Sequence, residues 1–192
     1  GSEMCIRDRI ETVWSGVHRW RLPASETRQP LVLFVGSIFN RRHIPELIQA
    51  FAQVLTVIPA ARLVLVGDNR SHPPQDPMRL ARDARIADRV TVRAYADEPE
   101  LASLYSQAMV FVFLSEYEGF GLPPFEAMAA NIPCVVGDTP VARELYQNAA
   151  QRVQVDDVDG IAAAITSLME DKEVRRRLLA ESALRLPLFT WD

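Results

Sequence analysis

The segment Glu118-Gly119-Phe120-Gly121-Leu122-Pro123-Pro124-Phe125-Glu126 sets two carboxylates on either side of a glycine turn and a proline pair. Glycine accepts positive φ and lets the backbone approach a ligand with no Cβ in the way. Proline is tolerated in a first helical turn, where N–H groups have no helical partner. The pattern therefore predicts a helix starting here, its free amides and positive end turned back toward the glycines, which suits phosphate. Glu118 falls in the loop before that helix and Glu126 about one turn inside it. A loop that folds back would place both carboxylates at the rim of one pocket. Beside a phosphate site, carboxylates make sense as acceptors for flanking hydroxyls. A nucleotide sugar has that layout: sugar hydroxyls, pyrophosphate, ribose hydroxyls. The cations to neutralise it are Arg41 and Arg42 in FVGSIFNRRH, whose guanidinium forks match phosphate oxygens bidentately. No Asp-rich or His/Cys group has ligand spacing, so neither a metal nor a further cofactor is expected.

Each feature also has a plainer meaning. Glycine turns precede many helices, an early helical Glu favours the dipole, and paired arginines often face solvent. Their meeting at one end of one sheet is what points to a ligand. Tyr117 and Phe120 either line the pocket or plug the turn. His43 and His72 read as surface or first-turn histidines, and His18 as non-catalytic.

The elements that must position these groups are legible as apolar runs alternating with helical patterns. LVLFVG (31–36), ARLVLVGD (61–68), RVTVRAY (89–95), MVFVFL (109–114), IPCVV (132–136) and RVQV (152–155) read as strands. Between them lie helical stretches opened by Pro45, over 78–86, 97–108, the motif helix, and 141–147. Two more follow, at 156–170 and through DKEVRRRLLAESALRL. Near-continuous apolar strands separated by helices imply a doubly wound, mainly parallel α/β sheet covered on both faces. Ligands bind such sheets beyond the carboxyl ends of the strands, where the SIFNRRH, VGD, RAYADE and EYEGFG loops lie.

The 192 residues suit one domain, or one plus an appendage, and 48% hydrophobic content supports a sizeable core. A net charge of -4 asks for neither nucleic acid nor an anionic membrane. Cys134, inside IPCVV, reads as a buried free thiol, and Cys5 lies in a leader. With no disulfide framework, a reducing, cytoplasmic compartment is expected. No run spans a bilayer. Residues 1–9 read as foreign leader sequence, 10–30 as a linker-like segment and 31–192 as the ligand-binding domain.

SEYEGFGLPPFEAMAANIPCVV closely resembles the signature of family 4 glycosyltransferases, a retaining group with two Rossmann-like domains. That signature carries two glutamates separated by seven residues, here Glu118 and Glu126. FVGSIFNRRHIPELIQAF, ARLVLVGD, RVTVRAYADEPELASLYSQAMVFVFLS and the closing FTWD agree in order, from about residue 13 to the end. The resemblance implies the C-terminal, donor-binding half of a GT-B architecture. By position, Glu118 would contact the transferred sugar and Glu126 the ribose. The backbone of Gly119, Phe120, Gly121 and Leu122 would meet sugar and phosphate, and Gly36 and Ser37 at the first strand end would belong to the donor site. Arg42, helped by Arg41, would clamp the diphosphate, and the backbone at Arg93, Ala94 and Tyr95 would meet the base.

There are two departures from the family pattern. Many members carry a basic residue where this chain has Ser37, which puts more load on the arginines. The acceptor-binding N-terminal domain is also missing, TVWSGVHRWRLP resembling the linker to it. The chain is thus expected to bind a nucleoside diphosphate sugar yet transfer little alone. Any oligomer would reflect truncation, and peripheral membrane contact is left to the parent protein. Two other readings stay open: a non-catalytic nucleotide-sugar-binding or scaffold domain, and a dinucleotide oxidoreductase. The latter lacks a GxGxxG after the first strand.

Overall fold

Runs of Val, Leu and Phe bounded by glycine or proline become short strands because both their faces are covered. In the computed structural model, which describes residue 17 and residues 28–189, these strands are β1 (Leu31–Val35), β2 (Arg62–Val66), β3 (Val90–Arg93), β4 (Val110–Phe113), β5 (Cys134–Gly137) and β6 (Ala150–Val153). The helices are α1 (Ile44–Val57), α2 (Pro77–Asp83), α3 (Glu98–Gln107), α4 (Leu122–Ala129), α5 (Pro140–Leu145), α6 (Val158–Glu170) and α7 (Lys172–Arg185). The leader, most of the linker-like segment and the closing Thr-Trp-Asp lie outside the described residues.

All six strands pair in parallel in the order β3-β2-β1-β4-β5-β6. The expected doubly wound, Rossmann-like sheet is therefore the observed one. The order in which strands are added reverses between β1 and β4, and that switch point opens a crevice at their carboxyl ends. Val32 of β1 sits in register with Leu63 on one side and Val110 on the other, so the two halves meet at β1. Phe34, Phe111 and Leu33 are fully buried there.

Helix starts follow side-chain caps. Asp97 accepts from the Glu100 amide (2.9 Å), Thr139 from Ala142 (3.1 Å) and Asp157 from Gly160 (2.9 Å), each satisfying an amide with no helical partner. Arg28, part of the linker-like segment by sequence, has a structural role. Its guanidinium donates to the Tyr105 and Ala108 carbonyls (3.1 and 2.6 Å) and to Ala130 (2.6 Å). It thereby ties the C-terminal ends of α3 and α4 together, where a cation is favoured.

The last strand lies two residues earlier than its apolar pattern suggests. β6 covers Ala150–Val153 because Cys134 pairs with Ala150 and Gly137 with Val153. Partner register overrode the alternation in RVQV. No helix among the described residues is long and apolar enough to cross a membrane.

Candidate functional site

The crevice between β1 and β4 is built around one ion pair. β1 runs out into Gly36, with φ of 141°, where a Cβ would come within 2.4 Å of Arg42 Nη1. Glycine is what lets the guanidinium lie against the strand end. A short 3-10 turn over Asn40–Arg42 then delivers Arg42 back across it. Arg42 Nε and Nη2 donate to Glu118 Oε1 at 3.2 and 3.0 Å, and Nη1 donates to the Ser37 carbonyl at 2.7 Å. Its guanidinium carbon stands 4.8 Å from the Phe113 ring centre, within cation–π range. Burial pulls the Arg42 pKa down and the Glu118 carboxylate opposes that shift, so the guanidinium stays charged.

Glu118 is held from a second side, since Ser115 Oγ donates to Oε1 at 2.8 Å. Every one of these bonds falls on Oε1. Oε2 has no hydrogen bond among the described residues.

Arg41 is more exposed than Arg42, with 35% side-chain exposure against 10%. It donates from Nε to the Tyr117 carbonyl (3.1 Å), and its Nη2 lies 3.9 Å from Glu118 Oε1. The Glu116 amide donates in turn to the Arg41 carbonyl (3.0 Å). His43 adds to this clasp between the two loops. Its Nε2 lies 2.9 Å from Glu116 Oε1 and its Nδ1 3.4 Å from Glu46 Oε2, at ion-pair distances but off the line of a good hydrogen bond. A histidine expected to be ordinary thus sits between two carboxylates. Ser37 faces the next strand instead, and hydrogen bonds from Ser37 and Arg70 hold the Asp68 carboxyl below its usual range.

Beyond Glu118 the chain makes the glycine turn. Around Gly119 no atom stands within 4 Å of where a Cβ would be. The Phe120 ring stacks on Phe125 (5.5 Å) and meets Phe189 edge-on (5.6 Å), so it plugs the turn. Gly121, with φ of 74°, is the N-cap of α4, and the Tyr146 hydroxyl donates to its carbonyl at 2.8 Å. Leu122 follows, 38% exposed. Pro123 and Pro124 have no N–H, so the opening of α4 presents the Leu122 amide and fewer donors than an ordinary helix start.

Glu118 and Glu126, expected at the rim of one pocket, meet different neighbours among the described residues. A small cavity beside Glu118 is walled by Phe113, Ser115, Gly137, Thr139 and Tyr146, and Glu126 is not among its walls. Glu126 lies toward α3, where Tyr105 Oη donates to its Oε2 at 3.3 Å. That hydroxyl stands 21 residues earlier in the chain, and local spacing carries no trace of it. Arg93, Ala94 and Tyr95 stand at the carboxyl end of β3, the outer strand, two strands from β1, or about 10 Å at ordinary spacing. The Tyr95 side chain is 79% exposed, and the Arg93 carbonyl accepts from the Gly67 amide at 2.8 Å while its side chain pairs with Glu100.

A larger cleft of about 510 Å³ lies at the far edge of the sheet, lined by Gln147, Gln151, Arg152, Ser167, Arg177 and Glu181. It holds none of the residues singled out above, and its size alone carries no chemistry. The crevice has the cations, the acceptor oxygen and the glycine turn. Among the described residues there is no group of three or more His, Cys, Asp or Glu side chains poised around a metal.

A parallel six-stranded sheet flanked by helices, with an Arg–Glu pair where the strand order reverses and a glycine turn opening a helix, defines a Rossmann-like α/β domain. The chain belongs to the family of glycosyl transferases group 1, whose pattern matches residues 20–184. It is 28% identical over 161 residues to the O-antigen chain mannosyltransferase RfbU of Salmonella typhimurium, a match covering 84% of this chain and 44% of that one. It spans under half the length of this relative and of the O-antigen chain mannosyltransferase B of Escherichia coli, 44% and 43%. Sucrose-phosphate synthase from Thermosynechococcus elongatus superposes with a TM-score of 0.72 at 30% identity, over 93% of this chain and 46% of that one. The fold also matches a pneumococcal O-GlcNAc transferase solved with UDP and GlcNAc, with a TM-score of 0.73 at 19% identity, over 92% of this chain and 35% of that one.

Proposed function

We propose that this chain is the donor-binding, C-terminal half of a retaining, family 4-type glycosyltransferase that takes a hexose from a nucleoside diphosphate carrier. The observation that carries the reading is Glu118. Arg42 and Ser115 fix its Oε1 at the strand reversal and leave Oε2 to accept from a sugar hydroxyl. The Leu122 amide and the glycine turn meet the phosphates. Arg41 and Arg42 neutralise them, and Arg42 also holds Glu118. Glu126 accepts from ribose hydroxyls, and the base lies along Arg93, Ala94 and Tyr95. The two-strand offset of β3 from β1 suits a diphosphate-plus-ribose span.

Negative charge grows on the departing phosphate as the glycosidic bond breaks, so fixed cations there stabilise the transition state more than the ground state. The acceptor attacks from the face the phosphate leaves. Neither glutamate is the nucleophile, because Glu126 belongs to the ribose and phosphate leaves without a strong acid. Tyr95, Tyr117 and Leu122 stand exposed around the same end of the sheet, consistent with a surface that a partner domain closes over. Transfer needs donor, acceptor and a closed cleft together, so this chain alone binds donor and turns over little.

A thermal-shift panel of UDP-, GDP- and ADP-sugars tests this, because a ligand bound only by the native state raises the melting temperature. At least one sugar nucleotide should stabilise the chain, and Glu126→Ala should remove the shift. No stabilisation by any of them would favour the scaffold reading.

A further inference from the structure

We propose that Tyr146 is a positioning residue for the donor. Its hydroxyl, bonded to the Gly121 carbonyl, braces the Gly121–Leu122 peptide at the start of α4 with the Leu122 N–H facing the diphosphate. The inference rests on the donor site proposed above and names a part of it that lies outside the glycine turn itself.

Tyr146 follows α5 and stands 25 residues along the chain from Gly121, yet donates to its carbonyl at 2.8 Å in a buried setting. It is 4% exposed, and its ring lies 4.9 Å from that of Phe125 in an aromatic group that also holds Phe189. The hydroxyl therefore has little freedom to move away. Burial pushes its pKa up, so it keeps the proton it donates.

A trans peptide is planar, with its C=O and N–H pointing in opposite directions. As the N-cap, Gly121 already gives its carbonyl to the first turn of α4, and the Tyr146 hydroxyl is a second donor to the same oxygen, which holds the Leu122 N–H pointing back out of the helix start. Because Pro123 and Pro124 have no N–H, no neighbouring helical amide can replace it. Gly121 is matched to this contact as well: a Cβ there would stand 2.4 Å from Tyr146 Oη. Arg42 and Glu118 set the side chains of the site, and Tyr146 braces its backbone donor.

The test is Tyr146→Phe in the 192-residue chain, with UDP, GDP, uridine and guanosine titrated into both proteins and followed by NMR. The phenyl ring keeps the packing and removes only the hydroxyl. Affinity for whichever nucleoside diphosphate binds should fall roughly tenfold, the effect of one aimed hydrogen bond, with affinity for the matching nucleoside unchanged. Equal loss for nucleoside and diphosphate, or no loss, would overturn the assignment. If the wild-type chain binds no diphosphate at all, the donor-site reading fails, and this inference fails with it.

A measurement on the wild type covers the case in which the Phe variant does not fold. Inorganic pyrophosphate should move the Leu122 amide proton downfield more than the amides of β5. An unmoved Leu122 amide, with shifts elsewhere, would refute the role given to Tyr146 while leaving the donor site standing.

Discussion

Replacing Arg42 by methionine keeps much of the aliphatic stem and removes the fork that holds Glu118. Side-chain exposures of 10% and 20% place the Arg42–Glu118 pair between the surface and buried regimes. Surface pairs contribute about 0.2–1 kcal/mol, and breaking a buried one costs about 3–5 kcal/mol. A value of about 2 kcal/mol is therefore expected for this pair. The Ser37 carbonyl also loses its donor, adding about 1 kcal/mol. For a domain of this size the total of about 3 kcal/mol corresponds to a fall in melting temperature of roughly 10 °C. A double-mutant cycle with Glu118→Gln, read by urea denaturation, isolates the pair. It should return a coupling of about 1–2 kcal/mol, since the two side chains touch directly. Coupling under about 0.3 kcal/mol would mean that Arg42 does not position Glu118, and the reasoning about Oε2 would fall with it.

Three other outcomes follow from the same geometry. Gly121→Ala puts a side chain at φ of 74° and within 2.4 Å of Tyr146 Oη; stability should fall by at least about 1 kcal/mol in urea. Arg28→Met removes a half-buried cation from three helix-end carbonyls, and should cost about 2–4 kcal/mol and loosen amide protection at the ends of α3 and α4. Alkali should destabilise the protein, because burial pushes up the Cys134 thiol and the Tyr105 and Tyr146 hydroxyls. The unfolded chain gives up these protons above about pH 8.5 for the thiol and about 10 for the phenols, while the native chain keeps them. Below about pH 8.5 the effect is absent, and above it stability declines. Urea midpoints at several pH values check this, and Cys134→Ala should move the onset up to about pH 10.

The fold was legible because parallel strands covered on both faces announce themselves as apolar runs, and β1, β2 and β4 fell where the runs did. β6 did not, because its pairing with β5 outweighed its own alternation. Glu118, Gly121 and Arg42 were singled out by residue type and spacing. What they touch was not: Ser115, Tyr105 and Tyr146 act through tertiary contacts 3 to 25 residues away in the chain. Ser115 left a faint signal, three residues before Glu118 at the strand end. Tyr146 left none, and neither did Arg28, since a long-range bond to a carbonyl has no local pattern. His43 was read as surface because nothing nearby in sequence brings Glu116 to it.

The most direct test is a structure of this chain with the nucleotide sugar that stabilises it best. Diphosphate density should lie at the Gly119-Phe120-Gly121-Leu122 turn between Arg41 and Arg42, with a sugar hydroxyl on Glu118 Oε2. Density in the cleft between β6 and α7, with the crevice at β1 and β4 empty, would contradict the account.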